Sequence, residues 1–214
     1  MSIEVKICGL TTAETAHAAA GAGASYLGFM FFEPSPRHLT FGAARRLNPD
    51  LPDGPERIGV FVNANDRFIA EAIDAIDLTW LQLHGSETPE EVARLKDKHS
   101  LPVIKAVGVS EPADIEQASA YYDIADAMLF DAKPPKGAAL PGGNAVSFPW
   151  HIMQEASLPE KWLLAGGLTP DNIAEAVKLS QASILDVSSG VESEPGIKSI
   201  PAIEAFLRAA KAVS

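Results

Sequence analysis

Cysteine is nearly absent from this chain: 214 residues hold one, Cys8. No intramolecular disulfide can form, and a lone thiol fits a reducing cytoplasm. No apolar run approaches the ~20 residues that cross a bilayer, so no membrane partner is expected. The opening residues lack a basic segment followed by an apolar one, so no secretory leader is expected. The five histidines show no metal-ligand spacing and have no cysteine partners, so no metal is expected. Cations are in short supply. Lys and Arg number 17 against 28 Asp and Glu, a net charge of -11. That balance argues against nucleic acid as a partner, while a local site can still hold a small anion. Linkers and low-complexity stretches are also missing. With 47% hydrophobic and 21% charged residues, residues 1–214 read as one compact domain with a real core.

What is present is alternation. Eight short apolar runs read as buried parallel strands, at residues 3–8, 25–31, 57–62, 79–83, 103–107, 125–130, 161–165 and 183–187. Segments with apolar residues at three- and four-residue spacing lie between them, such as 89–98 and 170–178, and a last helix covers about 201–212. Thr11 to Glu14 and Thr88 to Glu91 read as capping boxes, and Thr169-Pro170 puts proline at a first helical position. A strict βα alternation means an α/β fold with a parallel sheet. Eight repeats of roughly 25 residues favour a closed (β/α)8 barrel of the TIM type over an open doubly wound sheet.

The loops divide into two sets. Those leading into strands are plain. Those following strands carry Cys8, Arg37, His84, Asp131, Gly166-Gly167 and Ser188-Ser189-Gly190. A barrel opens all its strand C-termini on one face, so these residues converge. Loops 7 and 8, with Gly167, Ser188, Ser189 and Gly190, suit a phosphate, and residues 192–199 have room for a short helical turn beside it. Strand parity puts Glu4, Lys6 and Cys8 on the inner face, Cys8 uppermost, with the Lys6 charge favouring a thiolate. Packing alone is the other reading of a free cysteine. Asp131 is a catalytic acid or a loop cap. Arg37 offers its fork to a carboxylate or is a surface residue. His84 donates to substrate or is structural. Lys105 is a salt-bridged interior lysine or a Schiff-base former.

The same residues carry a resemblance. Lys6-Ile-Cys-Gly-Leu-Thr11, Ser35-Pro-Arg37, Gly59-Val-Phe-Val-Asn63, Leu81-Gln-Leu-His-Gly85, Leu163 to Asn172, Asp186 to Glu192 and Pro195-Gly-Ile-Lys198 run through the whole chain. In that order they resemble the phosphoribosylanthranilate isomerases. The resemblance implies a cofactor-free Amadori rearrangement in tryptophan biosynthesis, acting on a phosphorylated small molecule in the cytoplasm, as monomer or homodimer. It implies Cys8 as general base and Asp131 as general acid. It further implies Arg37, His84 and Asp186 as substrate contacts, and Gly167, Ser188, Ser189 and Gly190 around phosphate. Loop 6 departs from the family pattern at Asn144, Ala145 and Pro149, and Ser199 replaces a usual aspartate. Two other functions compete: a lyase or aldolase forming a Schiff base at Lys105 or Lys133, and a barrel that binds a phosphorylated metabolite without catalysis.

Overall fold

The computed structural model describes residues 3–133 and 147–213. Eight parallel strands close into a barrel: β1 (Glu4–Cys8), β2 (Tyr26–Met30), β3 (Glu56–Phe61), β4 (Trp80–Leu83), β5 (Val103–Val109), β6 (Ala127–Ala132), β7 (Trp162–Leu164) and β8 (Ile184–Val187). The seam is the β1–β8 pairing, which sets Lys6 against Asp186. Among the described residues seven helices surround it: α1 (Ala13–Gly21), α2 (Phe41–Leu47), α3 (Asp66–Ile76), α4 (Pro89–His99), α5 (Pro112–Ala118), α6 (Ile173–Ser180) and α7 (Ile200–Ala212). Among these residues no helix is long and apolar enough to cross a membrane.

Strand alternation produces two cores. Tyr26, Ile58, Ile104, Ala106, Ala127, Leu129, Leu163, Ala165 and Ile184 fill the lumen. The opposite faces, with Val5, Ile7, Leu27, Phe29, Leu81, Leu83 and Leu185, join Ile69 and Ile76 of α3, Val92 and Leu95 of α4, and Phe206 and Leu207 of α7. Each such aliphatic or phenyl side chain, fully buried, stabilises by roughly 1.5–3 kcal/mol. At the lower end of the lumen the Tyr26 hydroxyl donates to Glu4, and the Lys161 ammonium lies over the Trp80 and Tyr26 rings.

Local signals place the helices with a few shifts. Thr88 and Glu91 form the expected reciprocal capping box, with Pro89 in the first turn of α4. Helix α1 is capped by Thr12, whose side chain accepts from Thr15 N–H, and not by Thr11. Helix α6 begins at Ile173, later than Pro170 suggests. The reason is Asn172, whose Oδ1 accepts from Thr169 N–H at 2.8 Å while Nδ2 donates to the Gly167 carbonyl at 2.9 Å. This side-chain turn competes with helical winding and wins. Among the described residues the sixth unit closes with a 3-10 turn, Trp150–Met153, in place of a full helix. Pro149 precedes that turn, and its carbonyl accepts from Ile152 N–H at 3.1 Å. Asn144 and Ala145 lie outside the described residues. Residues 192–199 form no helical turn of their own. They make a small antiparallel hairpin, β9 (Glu192–Glu194) and β10 (Ile197–Lys198), after a 3-10 turn at Ser189–Val191. Ser199 caps α7, accepting from Ala202 N–H, which supports the exchange of one capping residue for another.

Glu87 clamps the third and fourth loops. Its carboxylate accepts from Asn63 N–H at 2.8 Å, from Gly85 N–H at 3.0 Å and from Lys105 Nζ at 2.8 Å. Lys105 alternates outward from β5, so this pair lies between barrel and helices. Removing one charge of a buried pair strands the other. Glu87→Gln should therefore destabilise the fold by about 3–5 kcal/mol in urea unfolding. A loss below 1 kcal/mol would show that water reaches Lys105.

Candidate active site

Lys6 and Cys8 face the lumen, as their parity requires. Lys6 is fully buried and donates to Asp186 Oδ1 at 2.8 Å. Cys8 pairs in register with Gly28 on β2. A methyl group on Gly28 would sit 2.9 Å from Cys8 Sγ and 3.0 Å from Lys6 Nζ. The glycine thus makes the space in which thiol and ammonium meet. A lone glycine inside a strand pattern is a recognised sign of close approach, but Gly28 went unremarked in the sequence.

The expected effect of Lys6 on the thiol is only half met. Burial raises the Cys8 pKa most. Lys6 and Lys198 pull it down, Asp186 pushes it up, and the balance is a thiol above its ordinary range. Lys6 itself is penalised by burial, yet Asp186 and Cys8 hold it more firmly protonated than a free lysine.

Loop 8 carries a second charged group. Ser188 Oγ donates to the Cys8 carbonyl at 3.1 Å, tying β8 to β1 above the ion pair. Lys198 Nζ donates to the Ser188 carbonyl at 2.9 Å and to Glu192 Oε1 at 2.6 Å. Glu192 also takes Arg37 in a two-point bond, Nε at 2.7 Å and Nη2 at 2.8 Å. The Arg37 stem lies over Gly9, where a methyl would meet Cδ at 2.7 Å and where φ is +82°. The fork expected to meet a substrate carboxylate is therefore held by Glu192, leaving the Nη1 side as its unbonded edge among the described residues. Glu192 and Lys198 had no role assigned from sequence. Their signal was position alone, in the residues following loop 8.

The opposite arc holds Asp131 and His84. Asp131 is the last inward residue of β6, one turn of the alternation beyond Leu129. Its Oδ1 accepts from Ala132 N–H at 2.8 Å, and its Oδ2 lies 3.5 Å from His84 Nε2. His84 Nδ1 is 2.9 Å from Gln82 Nε2. Loops 7 and 8 press together: a methyl on Gly190 would fall 1.9 Å from the Leu168 carbonyl oxygen. Gly166 and Gly167 hold positive φ, 89° and 65°. Lys105 faces the helices. Lys133 bonds Asp114 at 2.6 Å. Both lysines are held in ion pairs, Lys105 with Glu87 and Lys133 with Asp114.

Fold and site together define an enzyme of the (β/α)8-barrel class, with its chemistry at the strand C-termini. A family model described as N-(5'phosphoribosyl)anthranilate (PRA) isomerase matches residues 5–209. The chain is 49% identical over 211 residues to the N-(5'-phosphoribosyl)anthranilate isomerase of Paramagnetospirillum magneticum, covering 99% of this chain and 98% of that one. The phosphoribosyl anthranilate isomerase of Thermotoga maritima superposes with a TM-score of 0.87 at 36% identity, over 98% of this chain and 99% of that one. A structure of such an isomerase in complex with reduced 1-(o-carboxyphenylamino)-1-deoxyribulose 5-phosphate superposes with a TM-score of 0.85 at 34% identity, over 98% and 99%. The chain belongs to the phosphoribosylanthranilate isomerase family.

Because Cys8 is the one cysteine, its ionisation can be followed by thiolate ultraviolet absorbance. The midpoint should lie above the free-thiol value of about 8.5, since burial opposes the charged form. Lys6→Met should move it higher still, by removing a cation that favours the thiolate. A midpoint below the free-thiol value would mean that the two lysines outweigh burial.

Proposed function

We propose that the chain catalyses the Amadori rearrangement of N-(5-phosphoribosyl)anthranilate to 1-(2-carboxyphenylamino)-1-deoxyribulose 5-phosphate, a step of tryptophan biosynthesis, with Cys8 as base and Asp131 as acid. The observation that carries the assignment is the placement of these two as the uppermost inward residues of β1 and β6. They approach one substrate from separate arcs of the mouth.

The chemistry follows from their atoms. Asp131 gives its proton to the furanose ring oxygen, and the C1–O bond breaks to an iminium. Its carboxylate is then met by Ala132 N–H at 2.8 Å and by His84 Nε2 at 3.5 Å. These donors are aimed at charge that develops only as the ring opens, which is where stabilisation lowers a barrier. The iminium acidifies the C2 hydrogen. The Cys8 thiolate removes it, and the electron pair moves through C1 to nitrogen, giving an enolamine. C1 then gains a proton and the C2 hydroxyl loses one, leaving the ketone. A thiol held above its ordinary range is mostly protonated in the free enzyme. Once ionised it is a correspondingly strong base, and Lys6 and Lys198 favour that form.

The remaining roles are supported by position. Gly167, Ser188, Ser189 and Gly190 surround the joined loops 7 and 8, where backbone N–H groups can meet phosphate. Arg37 offers Nη1 to the anthranilate carboxylate, or its whole fork if Glu192 turns to Lys198 alone. Asp186 keeps its second oxygen for a sugar hydroxyl while the first holds Lys6. The lone free thiol suits a cytoplasmic enzyme, working on a diffusible substrate as a monomer or homodimer.

Cys8→Ser and Asp131→Asn should each lower kcat by about 10²–10⁴-fold, read as the loss of anthranilate-type fluorescence when substrate is consumed. Far-ultraviolet circular dichroism should be unchanged. Wild type should rescue a tryptophan auxotroph lacking the isomerase. Failure to rescue, or full turnover by either variant, would sink the assignment.

A further inference from the structure

Gln82 is a buried amide in an aliphatic setting, and catalysis as described above gives it no part. It points into the lumen from β4, 1% exposed. Its neighbours in register are Val60 on β3 and Ile104 on β5. Among the described residues its one side-chain partner is His84 Nδ1, at 2.9 Å from Nε2, and its Oε1 has none. A polar side chain so placed costs stability unless its geometry serves something else.

The orphan oxygen decides which way the amide faces. As it stands, one carbonyl oxygen and one of the two N–H groups go unpaired among the described residues. Turned over, Oε1 would meet the ring and the NH2 group would take the unpartnered side, burying two unmet donors. Unmet buried N–H groups are rarer than unmet carbonyls. Nε2 is therefore the donor and His84 Nδ1 the acceptor. A histidine that accepts at Nδ1 carries its proton on Nε2. That nitrogen is the one 3.5 Å from Asp131 Oδ2.

We infer that Gln82 is a positioning residue that locks His84 in the Nε2–H tautomer, so that His84 can donate toward Asp131 and the substrate oxygen but cannot accept a proton from either. The inference rests on the assignment of Asp131 as the acid. Its consequence is directional. With an Nδ1–H tautomer, the bare Nε2 would sit beside Asp131 and compete with the ring oxygen for its proton. With the lock in place the proton has one productive destination. The carboxylate left behind finds a donor and not a lone pair. A substrate oxygen at hydrogen-bonding distance from both Nε2 and Oδ2 completes the triangle.

The test reads the tautomer directly and turnover separately. A long-range ¹H–¹⁵N correlation spectrum of the wild-type protein should show His84 protonated at Nε2. Gln82→Glu presents only acceptors and should move the proton to Nδ1. Gln82→Met, similar in size and without a donor, should leave a mixture of tautomers, and it serves equally if the glutamate variant does not fold. Both should lower kcat, by on the order of tenfold to a hundredfold, part of what a positioned acid contributes. KM should stay within about twofold, as for an interaction made in the transition state. An Nδ1–H tautomer in the wild type overturns the inference. So does an unchanged tautomer in the folded variants, or a changed tautomer with unchanged kcat. Full turnover by Asp131→Asn would instead remove the acid assignment, while the spectrum would still report the lock.

Discussion

Lys6 and Asp186 meet across the seam where the first strand of the barrel pairs with the last, 2.8 Å apart and almost fully buried. A parallel barrel must close on itself, and its closing pair joins residues 180 apart in sequence. Two buried charges lose hydration that their attraction only partly restores, so such a pair is a poor source of net stability. Losing one partner is another matter, because the remaining charge has no water to turn to. The pair therefore penalises any register that separates it, since slipping a strand by one residue turns each side chain to the other face. Correct closure brings two further things with it. Cys8, two residues along from Lys6, comes over the ammonium. Ser188, two residues along from Asp186, reaches the Cys8 carbonyl. The thiol, its cation and the start of loop 8 are thus placed by one register.

The period-two pattern is what made the barrel legible from sequence. Lys6 and Cys8 had to face inward because Val5 and Ile7 had to face the helices. The same rule put Asp131 with Leu129, and all three assignments agree with the structure. The errors were of a different kind. Thr11 and Thr12 are both plausible caps, and the choice between them depends on where the strand before them ends. Pro170 looks like a first helical residue, but Asn172 closes loop 7 on Thr169 and Gly167 before the helix can begin. Residues 192–199 are too few for periodicity to separate hairpin from helical turn. These are contests between local alternatives of similar energy, decided by neighbours distant in the chain.

Roles that depend on a partner were the least legible. Arg37, in the loop after β2, lies with its stem over Gly9. Nothing in its own loop says that Glu192, 155 residues on, takes its fork. Gly28 matters for what its missing side chain admits, namely Cys8 Sγ and Lys6 Nζ. Gln82 looked like one more residue in a strand motif. Its meaning depends on two aliphatic neighbours from other strands and one imidazole two positions along. A motif shows which residues stand together, while the partner decides the proton or the charge.

The partner logic also bears on how an acidic chain takes an anionic substrate. A net charge of -11 repels phosphate and carboxylate from afar, but salt screens charges beyond about 8 Å. What an arriving anion meets is local. Around Cys8 stand three cations, Lys6, Lys198 and Arg37, against two carboxylates, Asp186 and Glu192. Three minus two leaves one positive charge in a low-dielectric setting, where its field reaches further than in water. A thiolate formed at Cys8 would neutralise that excess. Substrate anion and proposed base therefore draw on the same positive charge, and each opposes the arrival of the other. Separating them spatially resolves the conflict: the proposed phosphate loops lie on β7 and β8, the Arg37 edge lies beyond Gly9, and Lys6 remains beneath the thiol, fully buried and tied to Asp186. That division leaves one ammonium to the base whichever anion is bound.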